Sequence, residues 1–161
     1  MFRALTIAAV SAAVLLVSPA AFAQQTGGTA DEAKAMLMKA AAAVKENKTK
    51  AIDLFNRGEG GFLDRDLYVF CADLTTNKQT ANGNPNAKAL IGTDLREAKD
   101  ANGKAFGVEI LDGMKKPEGV VTEINYVFPR PGSDKTPVPK ISLVTRTSDD
   151  LGCGVGYYKQ Q

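Results

Sequence analysis

The first 23 residues have the three-part pattern of a secretory signal peptide, and this pattern limits both the size and the environment of the folded part. One positive charge at Arg3 precedes an apolar run over residues 4–17, and Ala21 and Ala23 form the small-residue end that a signal peptidase recognises. An uncleaved membrane anchor is the alternative, but a spanning helix needs about 20 apolar residues and this run is shorter. We therefore expect a signal peptide over residues 1–23, cleaved after Ala23.

Beyond the predicted cleavage site, the chain has the size of a single domain. We expect a linker over residues 24–29 and one folded domain over residues 30–161, exported to the periplasm. The sequence carries 20 Lys and Arg against 18 Asp and Glu. This near-balance provides no long-range field for nucleic acid or an anionic membrane surface. No second apolar run approaches spanning length, so we expect neither a nucleic-acid partner nor membrane insertion.

Export would bring the two cysteines, Cys71 and Cys153, into an oxidising compartment, where an even number of cysteines is typical of a disulfide. Two buried free thiols are the alternative. The chain has no histidine, and its cysteines lie far apart, so we expect no metal site and no cofactor. The lack of histidine also removes the most common general base and the Ser-His and Cys-His forms of nucleophilic catalysis. These observations favour a binding protein over an enzyme.

The most regular segment of the predicted domain is a long amphipathic helix over residues 30–57. Thr29 and Glu32 match a capping box, and apolar residues follow at helical spacing. Gly58 supplies a C-terminal stop. This helix is long enough to lie along one whole face of a small sheet.

The other predicted elements are short, and several alternate between apolar and polar residues. Helices are predicted over residues 93–99 and 106–114, and strands over residues 66–73, 79–81, 119–128, 140–147 and 153–159. Gly154 and Gly156 in the last strand would let another backbone or side chain approach closely. The order of elements predicts an α+β domain, with the long helix packed on one sheet face.

Eight short segments form an ordered series along most of this domain. They are DLYVF at 66–70, NP at 84–85, LIG at 90–92, KD at 99–100, GKAF at 103–106, NYVFP at 125–129, KISLV at 140–144 and CGVGY at 153–157. The series resembles the single Cache domains (type 2) of bacterial extracytoplasmic sensing, over residues 30–158. The resemblance implies a PAS-like Cache fold, with a long N-terminal helix on a roughly five-stranded antiparallel sheet and a ligand pocket on the other sheet face. We expect an exported stand-alone domain of this kind.

Five residues are candidates for ligand binding, and the resemblance points to Lys140 among them. Lys140 opens a strand, and the matching lysine of the family often faces the ligand, where an ammonium binds a carboxylate; a solvated lysine at the strand entrance is the alternative. Tyr68 and Tyr126 each offer a ring and a hydroxyl to a pocket, or are core tyrosines with satisfied hydroxyls. Many relatives carry histidine before the Asn-Pro loop, and in this chain a contact from that histidine would be either absent or made by Asn82. Asn82 and Asn84 are therefore candidates for ligand contact or turn formers.

Two functions follow from these expectations. The first is an extracytoplasmic module that binds or senses a small molecule, such as a small organic acid or a similar polar metabolite. The alternative is a periplasmic interaction protein that docks on a membrane receptor or sensor kinase through its long helix. Both belong to signal transduction, and neither requires catalysis.

Export can be tested by mass. We expect the protein recovered from the periplasmic fraction to begin at Gln24, because cleavage follows Ala23. Intact-mass measurement checks this, and exported material that retains Met1 would contradict it.

Overall fold

Helix α1 (Ala30–Arg57) opens the fold that a computed structural model describes for residues 27–159. Its bounds and its capping box at Thr29 and Glu32 confirm the sequence-based prediction, and Gly58 ends it in the left-handed conformation (φ 67°). The helix is not continuous, because Asn47 has extended dihedrals (φ −159°, ψ 98°). The Asn47 side chain accepts a hydrogen bond from Lys50 N (3.0 Å), so it caps a second helical segment within α1. The predicted signal peptide and its cleavage site lie outside the described residues.

The remaining elements form one antiparallel sheet and a layer of short helices. The strands are β1 (Leu63–Asp64), β2 (Leu67–Asp73), β3 (Gln79–Asn82), β4 (Thr122–Pro129), β5 (Pro137–Ser148) and β6 (Leu151–Tyr158). The helices after α1 are two 3-10 helices (Pro85–Leu90 and Leu95–Glu97) and α2 (Phe106–Met114). The sheet order is β1-β2-β6-β5-β4, and β3 also pairs with β2.

This arrangement confirms the predicted α+β architecture with a long helix packed on an antiparallel sheet, and corrects several details of it. The sheet has six strands rather than about five, because β1 is a two-residue strand that the pattern does not reveal. The helix predicted over residues 93–99 is a single 3-10 turn over Leu95–Glu97, capped by Asp94. The strand predicted over residues 119–128 begins at Thr122, so Val120 precedes it and is exposed.

Alternation along the strands divides the buried residues between two layers. In β2, Val69 and Cys71 face α1, whereas Tyr68 and Phe70 face the short helices. The first layer includes Leu37, Ala40, Val44 and Phe55 of α1 with Ile141, Leu143, Leu151 and Val155 of the sheet. The second layer includes Leu95, Phe106, Ile110, Leu111, Met114, Ile124, Tyr126 and Val144. Strand β2 is apolar on both faces because both faces are covered.

A disulfide joins Cys71 to Cys153 across the centre of the sheet. The two residues are directly opposed in the β2–β6 register, with Cα atoms 4.0 Å apart, and both are fully buried. The bond closes a loop with a sequence separation of 82 residues. It therefore fixes the pairing of two strands that lie far apart in the chain.

Reduction should destabilise the protein strongly, because a loop of this length carries a large closure entropy in the unfolded state. We expect the free energy of unfolding to fall by about 4.5 kcal/mol when the disulfide is reduced. Urea denaturation with and without reductant measures this, and a Cys71→Ala/Cys153→Ala variant, which should not respond to reductant, is the control. Two reactive thiols per chain in the unfolded, unreduced protein would contradict the disulfide.

Candidate ligand-binding cavity

A cavity of about 50 Å³ lies between the sheet and the short helices, on the face opposite α1. It is lined by Tyr68, Phe70, Gln79, Asn82, Leu90, Thr93, Leu95, Ala98, Phe106, Ile110, Tyr126 and Phe128. Most of these side chains are apolar, and the polar groups are two amides and three hydroxyls. None of the lining side chains within residues 27–159 is charged. Such a lining is typical of a small-molecule site, where a few polar groups orient a largely apolar ligand.

Three aromatic rings pack against one another to form one wall of this cavity. Phe106, the first residue of α2, stacks on Tyr126 of β4 with ring centroids 4.2 Å apart and planes within 3°. Phe128, two residues farther along β4, meets both rings edge-on at 6.1 Å. The Tyr126 hydroxyl is hydrogen-bonded to Ser142 Oγ of β5 (2.8 Å). Burial raises the pKa of Tyr126, so its phenol is neutral at neutral pH.

Lys140 lies behind this wall and is almost completely buried, with 1% of its surface exposed. Its Nζ donates a hydrogen bond to Tyr68 Oη (2.7 Å). It also lies 4.3, 4.9 and 5.1 Å from the ring centroids of Tyr68, Tyr158 and Phe128. The alternative of a solvated lysine at the strand entrance is therefore wrong. Lys140 borders the cavity through Tyr68 and Phe128 rather than by lining the free space.

The Lys140 ammonium is a buried charge that no carboxylate of the described residues neutralises. Burial lowers the pKa of Lys140, but the oxygens of Tyr126, Tyr68 and Tyr158 act in the opposite direction and outweigh it. The pKa therefore lies above its ordinary value, and Nζ is a cation at neutral pH. A buried charge is normally paired, so the arrangement suits the binding of an anion from outside the chain near this ammonium.

The two candidate asparagines have different surroundings. Asn82, at the end of β3, lines the cavity; its amide donates to Gln79 Oε1 (3.3 Å) and accepts from Asn84 N (3.0 Å). Asn84 caps the first 3-10 helix by accepting from Asn86 N (2.9 Å) and is not among the lining residues. The structure thus brings Tyr68, Tyr126 and Asn82 to the cavity wall and uses Asn84 to shape a turn.

Several residues of this site were not predicted. Ser142 has a usable signal, because it is two positions after Lys140 in an alternating strand and must share its face. Phe106 and Phe128 belong to predicted elements, but their meeting depends on how α2 packs on β4. Gln79 has no distinguishing pattern in the sequence. Within residues 27–159, no cluster of carboxylates or cysteines could hold a metal ion.

The family described as Single Cache domain 2 matches residues 9–156 of the chain. This chain belongs to that family. The cavity lies on the sheet face opposite the long helix, which is the face where the resemblance predicts the ligand pocket of a Cache domain. No helix in the described part of this Cache domain is long and apolar enough to cross a membrane.

Solved structures show the same Cache fold at low sequence identity. A methyl-accepting chemotaxis protein from Vibrio parahaemolyticus is 23% identical, with a TM-score of 0.62 over 80% of this chain and 86% of that chain. A periplasmic sensor domain of a chemotaxis protein is 23% identical, with a TM-score of 0.59 over 81% and 90%. A Cache chemosensory domain that recognises a carboxylic acid is 21% identical, with a TM-score of 0.59 over 81% of this chain and 88% of that chain. No curated protein sequence matches the chain.

The charge at Lys140 should cost stability that an apolar side chain of similar length would not. We expect Lys140→Met to leave the free energy of unfolding unchanged or to raise it by about 1 kcal/mol, because an apolar side chain often replaces a buried charge without loss. Urea denaturation measures the change.

Lys88→Met is the matched control. The Lys88 ammonium is half-buried and donates to two backbone carbonyls, those of Asn56 and Asn82. Its removal should lower stability by about 1–3 kcal/mol, because both carbonyls lose a donor. If Lys140→Met were as destabilising as Lys88→Met, the Lys140 ammonium would already be satisfied in the free protein.

Proposed function

We propose that this Cache domain binds a small organic acid outside the cytoplasm and serves in sensing. One observation carries the proposal: the buried ammonium of Lys140 borders an apolar cavity and has no carboxylate partner among the described residues. A ligand carboxylate would supply the missing negative charge, and an apolar chain would suit the rest of the lining.

The relatives support this proposal. One of the solved structures of the same fold is a periplasmic sensor domain of a chemotaxis protein, and another is a Cache chemosensory domain that recognises a carboxylic acid. The signal-peptide pattern of residues 1–23 supports the same compartment for this chain. Docking on a membrane receptor or sensor kinase stays a prediction.

The size of the cavity restricts the acid. A volume of about 50 Å³ has room for roughly four water-sized spheres. Acetate and propionate have about this number of heavy atoms, so they are the first probes to use.

Tyr68 connects the buried charge to the ligand. Its oxygen accepts a hydrogen bond from Lys140 Nζ, so its own hydrogen is free to point into the cavity that Tyr68 lines. The neighbouring ammonium polarises this hydroxyl and makes it a stronger donor. A carboxylate would therefore sit beside Tyr68, with its alkyl chain against apolar residues such as Leu95 and Ile110.

Removing the charge should weaken acid binding. We expect Lys140→Met to reduce the affinity for acetate or propionate about tenfold to hundredfold, because the carboxylate loses the nearby positive charge and the Tyr68 hydroxyl loses the ammonium that polarises it. A hydrogen bond that involves a charged group contributes about 1.5–3 kcal/mol. Tyr68→Phe should show a loss as well, since it removes the hydroxyl and keeps the ring. Isothermal titration calorimetry measures both affinities.

Lys159→Met is the control, because it removes the same unit of charge from an exposed position outside the cavity lining. Its affinity should stay unchanged. Wild-type affinity should also be constant from about pH 6 to about pH 9, since the pKa of Lys140 lies above its ordinary value of 10.5 and no histidine titrates in this range. Tighter binding of ethylammonium than of acetate would contradict the proposed function.

A further inference from the structure

Three glycines of β6 lie at alternate positions on the cavity side of the sheet, and each is closely covered by another side chain. A Cβ atom at Gly152 would meet Met114 of α2 at 2.4 Å, and one at Gly154 would meet the Phe70 ring at 2.5 Å. At Gly156 it would lie 2.2 Å from Lys140 Cε and 3.1 Å from Lys140 Nζ. Contacts this short cannot form, so each glycine marks a place where a neighbouring side chain rests directly on the backbone.

The contact at Gly156 follows from the order of the strands. Lys140 belongs to β5 and its partner Tyr68 belongs to β2, and β6 lies between them. Adjacent strands are about 4.8 Å apart, so the two residues start from strands roughly 10 Å apart. The lysine side chain can bridge this distance only by lying across β6, and it crosses at Gly156.

Backbone conformation does not require glycine here. The glycines with left-handed dihedrals lie elsewhere in the described chain, and Gly156 has ordinary strand geometry that other residues adopt. Glycine in the interior of a strand lowers stability, because it has more backbone freedom to lose and no side chain to pack. Space for Lys140 is therefore the main physical reason for glycine at this position, and Ser142 Oγ, 2.8 Å from the same Cβ position, is a smaller second one.

We propose that Gly156 is a specificity-determining position of the cavity, an inference that rests on the proposed function. Because Gly156 has no side chain, the Lys140 ammonium stays close to the sheet and in contact with Tyr68. The neighbouring volume on the cavity side then stays free for the ligand. A methyl group at this position pushes the lysine side chain away from the sheet and into that volume. The cavity then loses the room that separates a two-carbon acid from a longer one.

The test compares Gly156→Ala with Gly152→Ala, which introduces the same methyl group on the same strand face against Met114, a residue outside the cavity lining. Calorimetry with acetate and propionate gives the ratio of the two affinities for each protein. In Gly156→Ala the preference for acetate over propionate should increase about tenfold or more, the scale expected for one methylene group in a tight pocket. In Gly152→Ala the ratio should stay at the wild-type value.

A second measurement needs no ligand. Lys140 Nζ lies 4.3, 4.9 and 5.1 Å from the ring centroids of Tyr68, Tyr158 and Phe128. The NMR signal of the protons on the adjoining Cε atom should therefore be shifted by ring currents, and Lys140→Met assigns it by deletion. The shift should be lost in Gly156→Ala and retained in Gly152→Ala. If Gly156→Ala does not fold, the double variant Gly156→Ala/Lys140→Ala should restore folding, because the shortest contact, that with Lys140 Cε, is gone and only the contact with Ser142 Oγ at 2.8 Å is left.

The outcomes separate the two proposals. If the wild type binds neither acid, the proposed function fails and the specificity role of Gly156 fails with it, whatever the NMR signal shows. If the wild type binds both acids but Gly156→Ala keeps the wild-type affinity ratio, or keeps the ring-current shift, the role of Gly156 alone is overturned. A double variant that stays unfolded while Lys140→Ala alone folds would also overturn it.

Discussion

A single antiparallel sheet that is covered on both faces constrains the rest of this structure. Because side chains alternate along a strand, each buried strand must supply one set of residues to α1 and a different set to the cavity. In the β2–β6 pair, Val69 and Val155 serve the first face, whereas Phe70 and Gly154 serve the second. A slip of one residue would exchange the two sets, and the Cys71–Cys153 bond prevents that slip at the centre of the pair.

The two least exposed lysine ammonium groups discussed above illustrate how a protein treats a charge away from water. Lys88 donates to two backbone carbonyls, so it joins the end of α1 to the end of β3. Burial lowers the pKa of Lys88. Lys140 donates to a phenol and otherwise contacts aromatic rings. The first ammonium has two carbonyl acceptors, whereas the second has one phenol acceptor and no carboxylate partner among the described residues.

Local sequence patterns predicted the helices and strands of this fold better than the contacts between them. The capping box at Thr29 and the glycine at Gly58 set both ends of α1 correctly, because each signal acts within one helical turn. The break at Asn47 was missed, since a polar stretch in a helix is normally only a solvated face. The strand β1 was missed because two residues carry no periodicity.

For the candidate site too, the sequence predicted the elements better than the contacts between them. Alternation within β5 and β4 shows which residues share a face, but it does not show which strands are neighbours. The contact between Lys140 and Tyr68 joins residues 72 positions apart, and it depends on β6 lying between their strands. For this reason, the resemblance made Lys140 a candidate ligand-binding residue, but the sequence could not show that it is buried beside aromatic rings.

The disulfide has a topological consequence for this cavity. With Cys71 and Cys153 joined, the chain between them becomes a covalent ring that contains β3, the short helices, β4 and β5. Ten of the twelve residues that line the cavity lie within this ring, and α1 lies outside it. Local opening of α1, a fluctuation that folded proteins undergo without global unfolding, therefore leaves most of the cavity wall tied together by covalent bonds.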